Sequence, residues 1–317
     1  MSKLKAFSII IPIKEFSQML KSTIKTIESQ LYPKDLIEIL IVHNSKVQSS
    51  VPDYLNGKAR VIRLPFPSRS IARNVGANAA QNSTLIFLDD NSLFTKKDAL
   101  LRLSKIDEQV IQLSIRMTAG LKNEPIYQAY ERLSYYRTSG RTWNIAERNK
   151  WLDSAALVIK KKTLKDINGY NKAFTRYEDR ELAYRLRMQG IQFHPALSIY
   201  VNKVLEPTSI MSYFFKASVE VFYRIKFLWQ YNRVGILKDS INGAIKIFNI
   251  EKYKAIKQGQ TTLTMMLFSS LVAVYHLLAT VPCLIIVVFS RNSNSHDSNN
   301  WAFEEVGAYE LTKELGT

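Results

Sequence analysis

The first 205 residues alternate apolar, β-branched runs with segments of helical spacing, and this alternation restricts the fold more than any other feature. Four runs have the composition of buried strands: Phe7–Ile13, Ile37–Val42, Arg60–Leu64 and Leu85–Leu88. Apolar residues recur at helical spacing in Phe16–Gln30 and Ile71–Gln81. Repeated strand–helix units predict an α/β fold, with a parallel sheet that carries helices on both faces.

Polar residues follow three of these predicted strands. Lys14-Glu15, His43-Asn44-Ser45 and Asp89-Asp90-Asn91 come at the carboxyl ends of the first, second and fourth runs. Ligands of open α/β sheets bind at the carboxyl ends of the strands. We therefore expect these three segments to border a ligand site.

The Asp89-Asp90-Asn91 segment carries two carboxylates and an amide in adjacent positions. Oxygen donors of this kind suit Mg²⁺ or Mn²⁺, which would in turn neutralise a diphosphate. The alternative interpretation is an acidic turn that closes the strand, because Asp and Asn are favoured in turns. The segment alone leaves both interpretations open.

Two further segments have an ordinary structural explanation beside a functional one. Arg69–Gly76 (RSIARNVG) combines basic residues with small ones at a helix start, which suits an anion or close packing on a sheet. Tyr177-Glu178-Asp179 opens a helical segment and offers a general base. The spacing of Thr175 and Glu178 also fits a capping box.

Taken together, four segments resemble family 2 glycosyltransferases of the GT-A fold. They are SIIIPIKE, ARNVGANAA, FLDDN and INGYNKAFTRYEDRELAYRL, beginning at Ser8, Ala72, Phe87 and Ile167. The resemblance covers about the first 205 residues and implies inverting transfer from a nucleotide-diphosphate sugar. It places Mg²⁺ or Mn²⁺ and the diphosphate at Asp89, Asp90 and Asn91. It makes Asp179 the general base, with Glu178 beside it as the other catalytic residue.

The expected substrate-binding residues come from the strand ends, the RSIARNVG segment and the predicted acceptor region. They are Pro12, Lys14, Glu15, His43, Asn44, Arg69, Arg73, Asn74, Asp89 and Asp153. The expected partners are the donor, a glycan or lipid-linked acceptor, and membrane lipids.

The chain departs from the family pattern at four positions. His43 stands where an Asp commonly helps hold the nucleotide base, and Asn91 replaces the last acid of the metal cluster. Asn168-Gly169 replaces a Gly-Gly turn, and Asn202 lies where a metal-assisting His is often found. These departures keep open an alternative, a non-catalytic membrane-anchored scaffold. No Q-x-x-R-W sequence occurs, so we expect non-processive transfer.

Leu263–Phe289 contains no Asp, Glu, Lys or Arg and is long enough to cross a bilayer. The alternative is a buried core helix. Lys252, Lys254 and Lys257 precede this segment, whereas 291–317 holds two basic against five acidic residues. Basic flanks favour the cytoplasmic side. We therefore predict a single-pass protein with a cytoplasmic catalytic domain.

Ile210–Gln230 interleaves aromatic and basic residues, as helices in a membrane interface do. Packing on the catalytic domain would explain the pattern equally well. The predicted organisation has four parts. They are a GT-A domain (1–205), a membrane-proximal helical region (206–262), a transmembrane helix (263–289) and a short acidic tail (290–317).

The net charge of +17 indicates an anionic partner. Membrane lipids and a phosphorylated substrate fit the other features, whereas no zinc-finger, RNP-like or bZIP pattern supports nucleic acid. Cys283 is the only cysteine, which excludes an internal disulfide and favours a reducing compartment. The segment 1–7 lacks the apolar run of a secretory signal.

Overall fold

The computed structural model describes residues 4–47, 49–117, 125, 127, 152–204, 209–231 and 262–290. These residues form two compact units. The first contains the described residues of 4–117 and 152–204, and the second contains residues 125, 127, 209–231 and 262–290.

The first unit is a sheet with short helices. Its strands are β1 (Phe7–Ile13), β2 (Ile37–Asn44), β3 (Arg60–Leu64), β4 (Thr84–Leu88), β5 (Ser92–Phe94), β6 (Val110–Met117), β7 (Ala156–Lys160) and β8 (His194–Lys203). Its helices are α1 (Gln18–Glu28), α2 (Arg69–Ala79), α3 (Ala99–Ser104), α4 (Lys161–Asp166) and α5 (Glu178–Met188). Two 3₁₀ turns lie at Lys34–Leu36 and Asp53–Leu55.

The strands form one sheet in the order β3-β2-β1-β4-β7-β6-β8-β5. The strands from β3 to β4 are mutually parallel, and Ile13 lies opposite His43. The predicted α/β fold is confirmed, and the four strands named from the sequence, β1 to β4, are mutually parallel as predicted. Strand β7 runs antiparallel to both β4 and β6. Strands β6 and β8 pair in parallel, so the sheet is mixed beyond β4.

Both faces of the sheet are buried. Ile9, Ile11 and Ile86 belong to a core cluster that includes Leu20 and Ile24 of α1. The alternate strand residues, Ile10, Leu85 and Phe87, belong to a second cluster that includes Ala72 and Val75 of α2. Burial on both faces explains why these strands are continuously apolar rather than alternating.

Helix α2 approaches β1 closely at Gly76. A Cβ atom added there would lie 2.5 Å from Cγ2 of Ile10. The small residues of the RSIARNVG segment therefore do serve packing on the sheet. This close packing also fixes the position of Arg73 on the same helix.

The second unit is built from helices α6 (Ile210–Tyr231) and α7 (Thr262–Ser290). Tyr213 packs with Val272, and Val221 and Ile225 pack with Cys283 and Val287. The contacts advance along both helices in the same chain direction, so α6 and α7 pack in parallel.

Helix α7 is a membrane-span candidate. Its segment Ser270–Phe289 has a mean hydropathy of 2.5, and only 17% of that segment is buried. Low burial argues against the alternative of a core helix, because a core helix is covered by the rest of the protein. The acidic tail 291–317 and the lysines at 252, 254 and 257 lie outside the described residues, so the predicted orientation stays a prediction.

Candidate active site

The acidic turn after β4 is held by two buried cations. Asp89 is only 9% exposed. Nζ of Lys203 donates to its Oδ2 at 2.7 Å, and Nη2 of Arg73 donates to its Oδ1 at 3.2 Å. Both carboxylate oxygens of Asp89 therefore accept charged hydrogen bonds, which are stronger than neutral ones.

The charges around Asp89 keep it ionised. Burial opposes ionisation, but Lys203, Arg69 and Arg73 outweigh it and hold the pKa of Asp89 well below its usual range. A negative charge is therefore fixed at the carboxyl end of β4 at neutral pH.

Arg73 joins the acidic turn to helix α5. Its Nη1 donates to Oε1 of Glu178 at 2.7 Å, while its Nη2 holds Asp89. The guanidinium lies 5.4 Å from the ring centroid of Tyr170, and Arg73 is 2% exposed. Burial would lower the pKa of Arg73, but Glu178, Tyr170 and Asp89 raise it above its ordinary value. Three of the four segments that carry the family resemblance thus meet at one guanidinium.

Helix α5 begins directly at the second acidic motif. Glu178 is its first residue, and the preceding Tyr177 adopts a left-handed conformation with φ of 65°. The capping-box interpretation of Thr175 and Glu178 is wrong, because the helix starts at Glu178 and no side chain caps it. Left-handed backbone at a bulky residue is strained, and such strain is found preferentially at functional sites.

Asp179 differs from Glu178 in burial. It is half-buried, and its Oδ1 accepts a hydrogen bond from the backbone N–H of Arg180 at 2.8 Å. Its place in the first turn of α5 stabilises the carboxylate, because a helix N-terminus favours negative charge. Glu178, by contrast, is 6% exposed and bound to Arg73.

The turn before α5 is fixed from helix α2. Asn168 and Gly169 both have positive φ, at 59° and 66°, a conformation that Asn and Gly tolerate. Oδ1 of Asn74 accepts from the backbone N–H of Tyr170 at 2.8 Å, and its Nδ2 donates to the Tyr170 carbonyl at 2.8 Å. Asn74 was predicted to bind substrate; the structure shows its amide bound to this turn.

The oxygens of the acidic turn suit a hard cation. Asn91 donates from Nδ2 to the carbonyl of Val204 at 2.7 Å, and its buried Oδ1 has no hydrogen-bond partner among the described residues. Asp90 is half-buried, and its backbone carbonyl accepts from Oγ1 of Thr23. Within the described ranges, no three His, Cys, Asp or Glu side chains converge as metal ligands. An amide oxygen with a carboxylate beside it is nevertheless a donor set for Mg²⁺ or Mn²⁺.

Sequence reasoning missed Lys203. It placed the metal-assisting position at Asn202, one residue earlier on β8. The alternation of side chains along β8 could have indicated this residue. Ile199, Val201 and Lys203 are spaced two apart, so they lie on the same face of the strand, and all three are buried. A lysine in phase with buried strand residues requires a partner, and Asp89 provides it.

The ends of β1 and β2 lie side by side, as predicted. Lys14 and Glu15 are exposed, whereas Pro12 is buried in β1. His43 is fully buried, and its Nε2 donates to the carbonyl of Lys14 at 3.0 Å. Asn44 is also buried.

The environment of His43 disfavours its protonated form. Its ring centroid lies 4.9 Å from that of Phe16, and its Nδ1 has no hydrogen-bond partner among the described residues. Burial lowers the pKa of His43, and the charge of Arg63 lowers it further.

The two remaining predicted residues lie in different surroundings. Arg69 is half-buried at the first position of α2, and its charge acts on Asp89. Asp153 is half-buried before β7, where its Oδ1 accepts from the N–H of Ala155 at 2.9 Å. The structure thus gathers Arg69, Arg73, Asp89 and Glu178 into one network, with Asp179 next to it.

The mixed α/β sheet and the family match together define a glycosyltransferase of the GT-A type. The family model described as "Glycosyl transferase family 2" matches residues 8–177, more than half of the chain. The chain belongs to this family. The match includes the acidic turn and ends immediately before Glu178 and Asp179.

Two solved structures are similar to this chain. One is the mannosyltransferase PcManGT from Pyrobaculum calidifontis in complex with GDP-Man and Mn²⁺, with a TM-score of 0.52 and 12% identity over 92% of this chain and 76% of that chain. The other is S. aureus TarS 1-349 in complex with UDP-GlcNAc, with a TM-score of 0.49 and 12% identity over 90% and 91%. At 12% identity, the likeness to the mannosyltransferase shows the fold alone. A search of the curated proteins found no match.

Proposed function

We propose that this protein transfers a sugar from a nucleotide-diphosphate donor to a hydroxyl of a glycan or lipid-linked acceptor. The transfer is a single displacement with inversion, and it takes place at the cytoplasmic face of a membrane. The observation that carries the proposal is Arg73, which binds Asp89 and Glu178 at once. It ties the turn that would face the donor diphosphate to the helix that begins with Glu178 and Asp179.

Asp179 is the proposed general base. It is half-buried at the start of α5, while its neighbour Glu178 forms an ion pair with Arg73. In the proposed step, an acceptor hydroxyl attacks the anomeric carbon and passes its proton to the Asp179 carboxylate. The bond between the anomeric carbon and the diphosphate breaks, and the electron pair leaves with the diphosphate.

The leaving diphosphate needs positive charge. Arg69, at the start of α2, is a cation of the network that is partly exposed. Asp90 and Asn91 are the residues that would hold Mg²⁺ or Mn²⁺, and Asp89 keeps further lone pairs beside its bonds to Arg73 and Lys203. When bound, a divalent cation would neutralise charge on the diphosphate as a Lewis acid.

Lys14, Glu15 and Asp153 remain proposed substrate contacts, because they are exposed or half-buried at strand ends. His43 and Asn44 are buried beneath this surface, so we propose that they shape the nucleotide pocket rather than reach into open solvent.

The proposed reaction is tested with purified full-length protein and a panel of nucleotide-sugar donors, comparing the unaltered chain with Asp179→Asn. We expect a turnover that the substitution lowers by ~10²- to 10⁴-fold, the usual contribution of a general base. Near-normal turnover in Asp179→Asn would contradict the assignment of the base. Donor binding without turnover in the unaltered chain would instead favour the non-catalytic scaffold.

Membrane attachment is proposed to act through α7, with α6 packed along it. Leu278 and Val281, near the middle of the Ser270–Phe289 segment, are 70% and 62% exposed, so arginines there need not disturb the packing on α6. Each arginine near the centre of a span costs about 2.5–3.5 kcal/mol of insertion free energy. We expect the Leu278→Arg/Val281→Arg chain to leave the membrane fraction on centrifugation. An unchanged membrane fraction would show that α7 is not the anchor.

A further inference from the structure

We propose that Arg116, stacked on Tyr200 and opposite Asn202 in the sheet, binds an anionic group of the acceptor, a phosphate or a carboxylate. The inference rests on the proposed function, because it concerns the second substrate of the same reaction. It names a chemical feature of that substrate that neither the sequence motifs nor the Arg73 network indicate.

Arg116 lies at the same edge of the sheet as the acidic turn. It is the last residue but one of β6, and β7 runs antiparallel to both β6 and β4, so β6 and β4 end at the same edge. Strand β8 is parallel to β6 and ends there too. With β7 between them, β4 and β6 lie two strand spacings, about 10 Å, apart in the sheet. A group bound beside β6 would therefore lie next to the donor site rather than in it.

The side of β6 that carries Arg116 differs from the same side of the neighbouring strands. Leu113 and Ile115 belong to the core cluster on the α1 side of the sheet, so Arg116 projects from the α2 side. On that side β4 and β7 carry buried Phe87 and Leu157. Arg116 is instead exposed. The α2 side of the sheet thus becomes polar and open at the end of β6.

Tyr200 fixes the orientation of the guanidinium. Cζ of Arg116 lies 3.5 Å from the ring centroid of Tyr200 on the neighbouring strand, so the guanidinium covers the face of the ring. The register of β6 with β8 shifts between Leu113 and Ser114, and this shift places Tyr200 opposite Ser114. Such irregularities are common beside active sites, where they redirect side chains. Stacking uses one face of the guanidinium and leaves its N–H groups, which lie in its plane, directed outward.

Arg116 and Asn202 offer hydrogen-bond donors at one place. They lie opposite each other on strands that are about 4.8 Å apart, and Asn202 is half-buried. Within the described residues, neither the guanidinium of Arg116 nor the amide of Asn202 makes a hydrogen bond or an ion pair. A guanidinium binds a phosphate or a carboxylate through two parallel hydrogen bonds, and an amide N–H adds a further donor. An oxyanion is therefore the ligand that these side chains fit.

The ordinary explanation is an exposed cross-strand pair in which Arg116 only covers the Tyr200 ring. Ligand titrations of purified full-length protein in detergent separate the two explanations. The probes are glycerol phosphate and glucuronic acid, with glycerol and glucose as their neutral matches, and saturation-transfer NMR detects their weak binding. Each titration is repeated with UDP, GDP and Mn²⁺ present, and UDP and GDP are also titrated alone.

The variants remove either the charge, the planar fork or the stack. Arg116→Gln removes the charge, Arg116→Lys keeps the charge without the fork, and Tyr200→Leu removes the stack. Arg102→Gln is the matched control, because the Arg102 side chain is 41% exposed and lies elsewhere on the surface, paired with Asp98. Thermal unfolding of each variant is recorded in parallel.

We expect one of the two anions to bind, and to bind more tightly than its neutral match, whether or not nucleotides are present. Arg116→Gln should weaken that binding by ~10- to 100-fold, the effect of one hydrogen bond from a charged group. Arg116→Lys should lose most of the affinity, because an ammonium lacks the planar fork. Tyr200→Leu should lose about 2- to 5-fold, the contribution of an exposed cation–π contact. Arg102→Gln should behave like the unaltered protein.

The inference is overturned, with the proposed function intact, if a donor is turned over but neither anion binds, or if Arg116→Gln leaves anion binding unchanged. It is also overturned if nucleotides displace the anion and Arg116→Gln weakens UDP or GDP binding by the same factor, since Arg116 would then belong to the donor site. If anion binding depends on Arg116 but no donor is turned over, the proposed function fails, and the assignment of the anion to an acceptor fails with it.

Discussion

The two acidic motifs of this protein are built alike. In each, the first acid is buried and bound to a cation, and the second is half-buried. Asp89 is held by Arg73 and Lys203, and Glu178 by Arg73, whereas Asp90 and Asp179 follow them in the chain with more of their surface exposed. Adjacent carboxylates in one motif therefore have different surroundings.

This difference indicates that the two acids of each motif have different roles. The buried acids, Asp89 and Glu178, fix the geometry by binding the same guanidinium from two directions. Their neighbours are the ones placed to meet substrate or metal. A substitution should therefore act mainly on folding at the first position of a motif and mainly on turnover at the second.

The largest effect is expected at Arg73, where both motifs meet. Arg73→Met leaves two buried carboxylates without their common partner, and breaking a buried pair in this way costs about 3–5 kcal/mol of unfolding free energy. Denaturant unfolding of the full-length protein in detergent measures this loss. Arg73→Lys should also be impaired, since an ammonium lacks the planar fork that reaches both acids.

The matched control is Arg102, whose side chain is 41% exposed and pairs with Asp98 on the surface. Arg102→Met should cost no more than about 1 kcal/mol, because exposed ion pairs contribute little. Equal losses for Arg73→Met and Arg102→Met would show that the Arg73 network does not stabilise the fold.

A smaller effect is expected at His43, which is buried like Asp89 but is a base, so that the nearby cation Arg63 disfavours its charged form. Its pKa is lowered by burial first, so the neutral form is the one that the fold stabilises. The stability it contributes is present above its ordinary pKa of about 6.5 and is lost as the pH falls below that value.

The pH dependence of unfolding tests this point. Between pH 7 and pH 5, the unaltered protein should lose more stability than His43→Gln, whose side chain stays neutral throughout. Parallel pH profiles for the two proteins would contradict the account of His43.

The sequence predicted the α/β fold and the side-by-side ends of β1 and β2. Both follow from a local pattern, in which a continuous apolar run of a buried strand is followed directly by polar residues. It gave no direction for β7, which runs antiparallel to both neighbours, because strand direction depends on the path of the chain and not on local composition. Lys203 and Asp89 lie far apart in sequence, and no motif spacing joins them. Arg73 and Asn74 were predicted to bind substrate, and that remains a prediction. Their hydrogen bonds to Glu178 and Tyr170 became apparent only from the structure.

The most direct measurement compares Glu178→Gln with Asp179→Asn in the same two assays, donor turnover and denaturant unfolding. We expect Asp179→Asn to lose ~10²- to 10⁴-fold in turnover with little change in unfolding free energy. Glu178→Gln should lose about 1–3 kcal/mol of unfolding free energy, because Arg73 is left partly unpaired in a buried site. If Glu178→Gln abolishes turnover at full stability while Asp179→Asn remains active, the roles of the two acids are reversed and the account is contradicted.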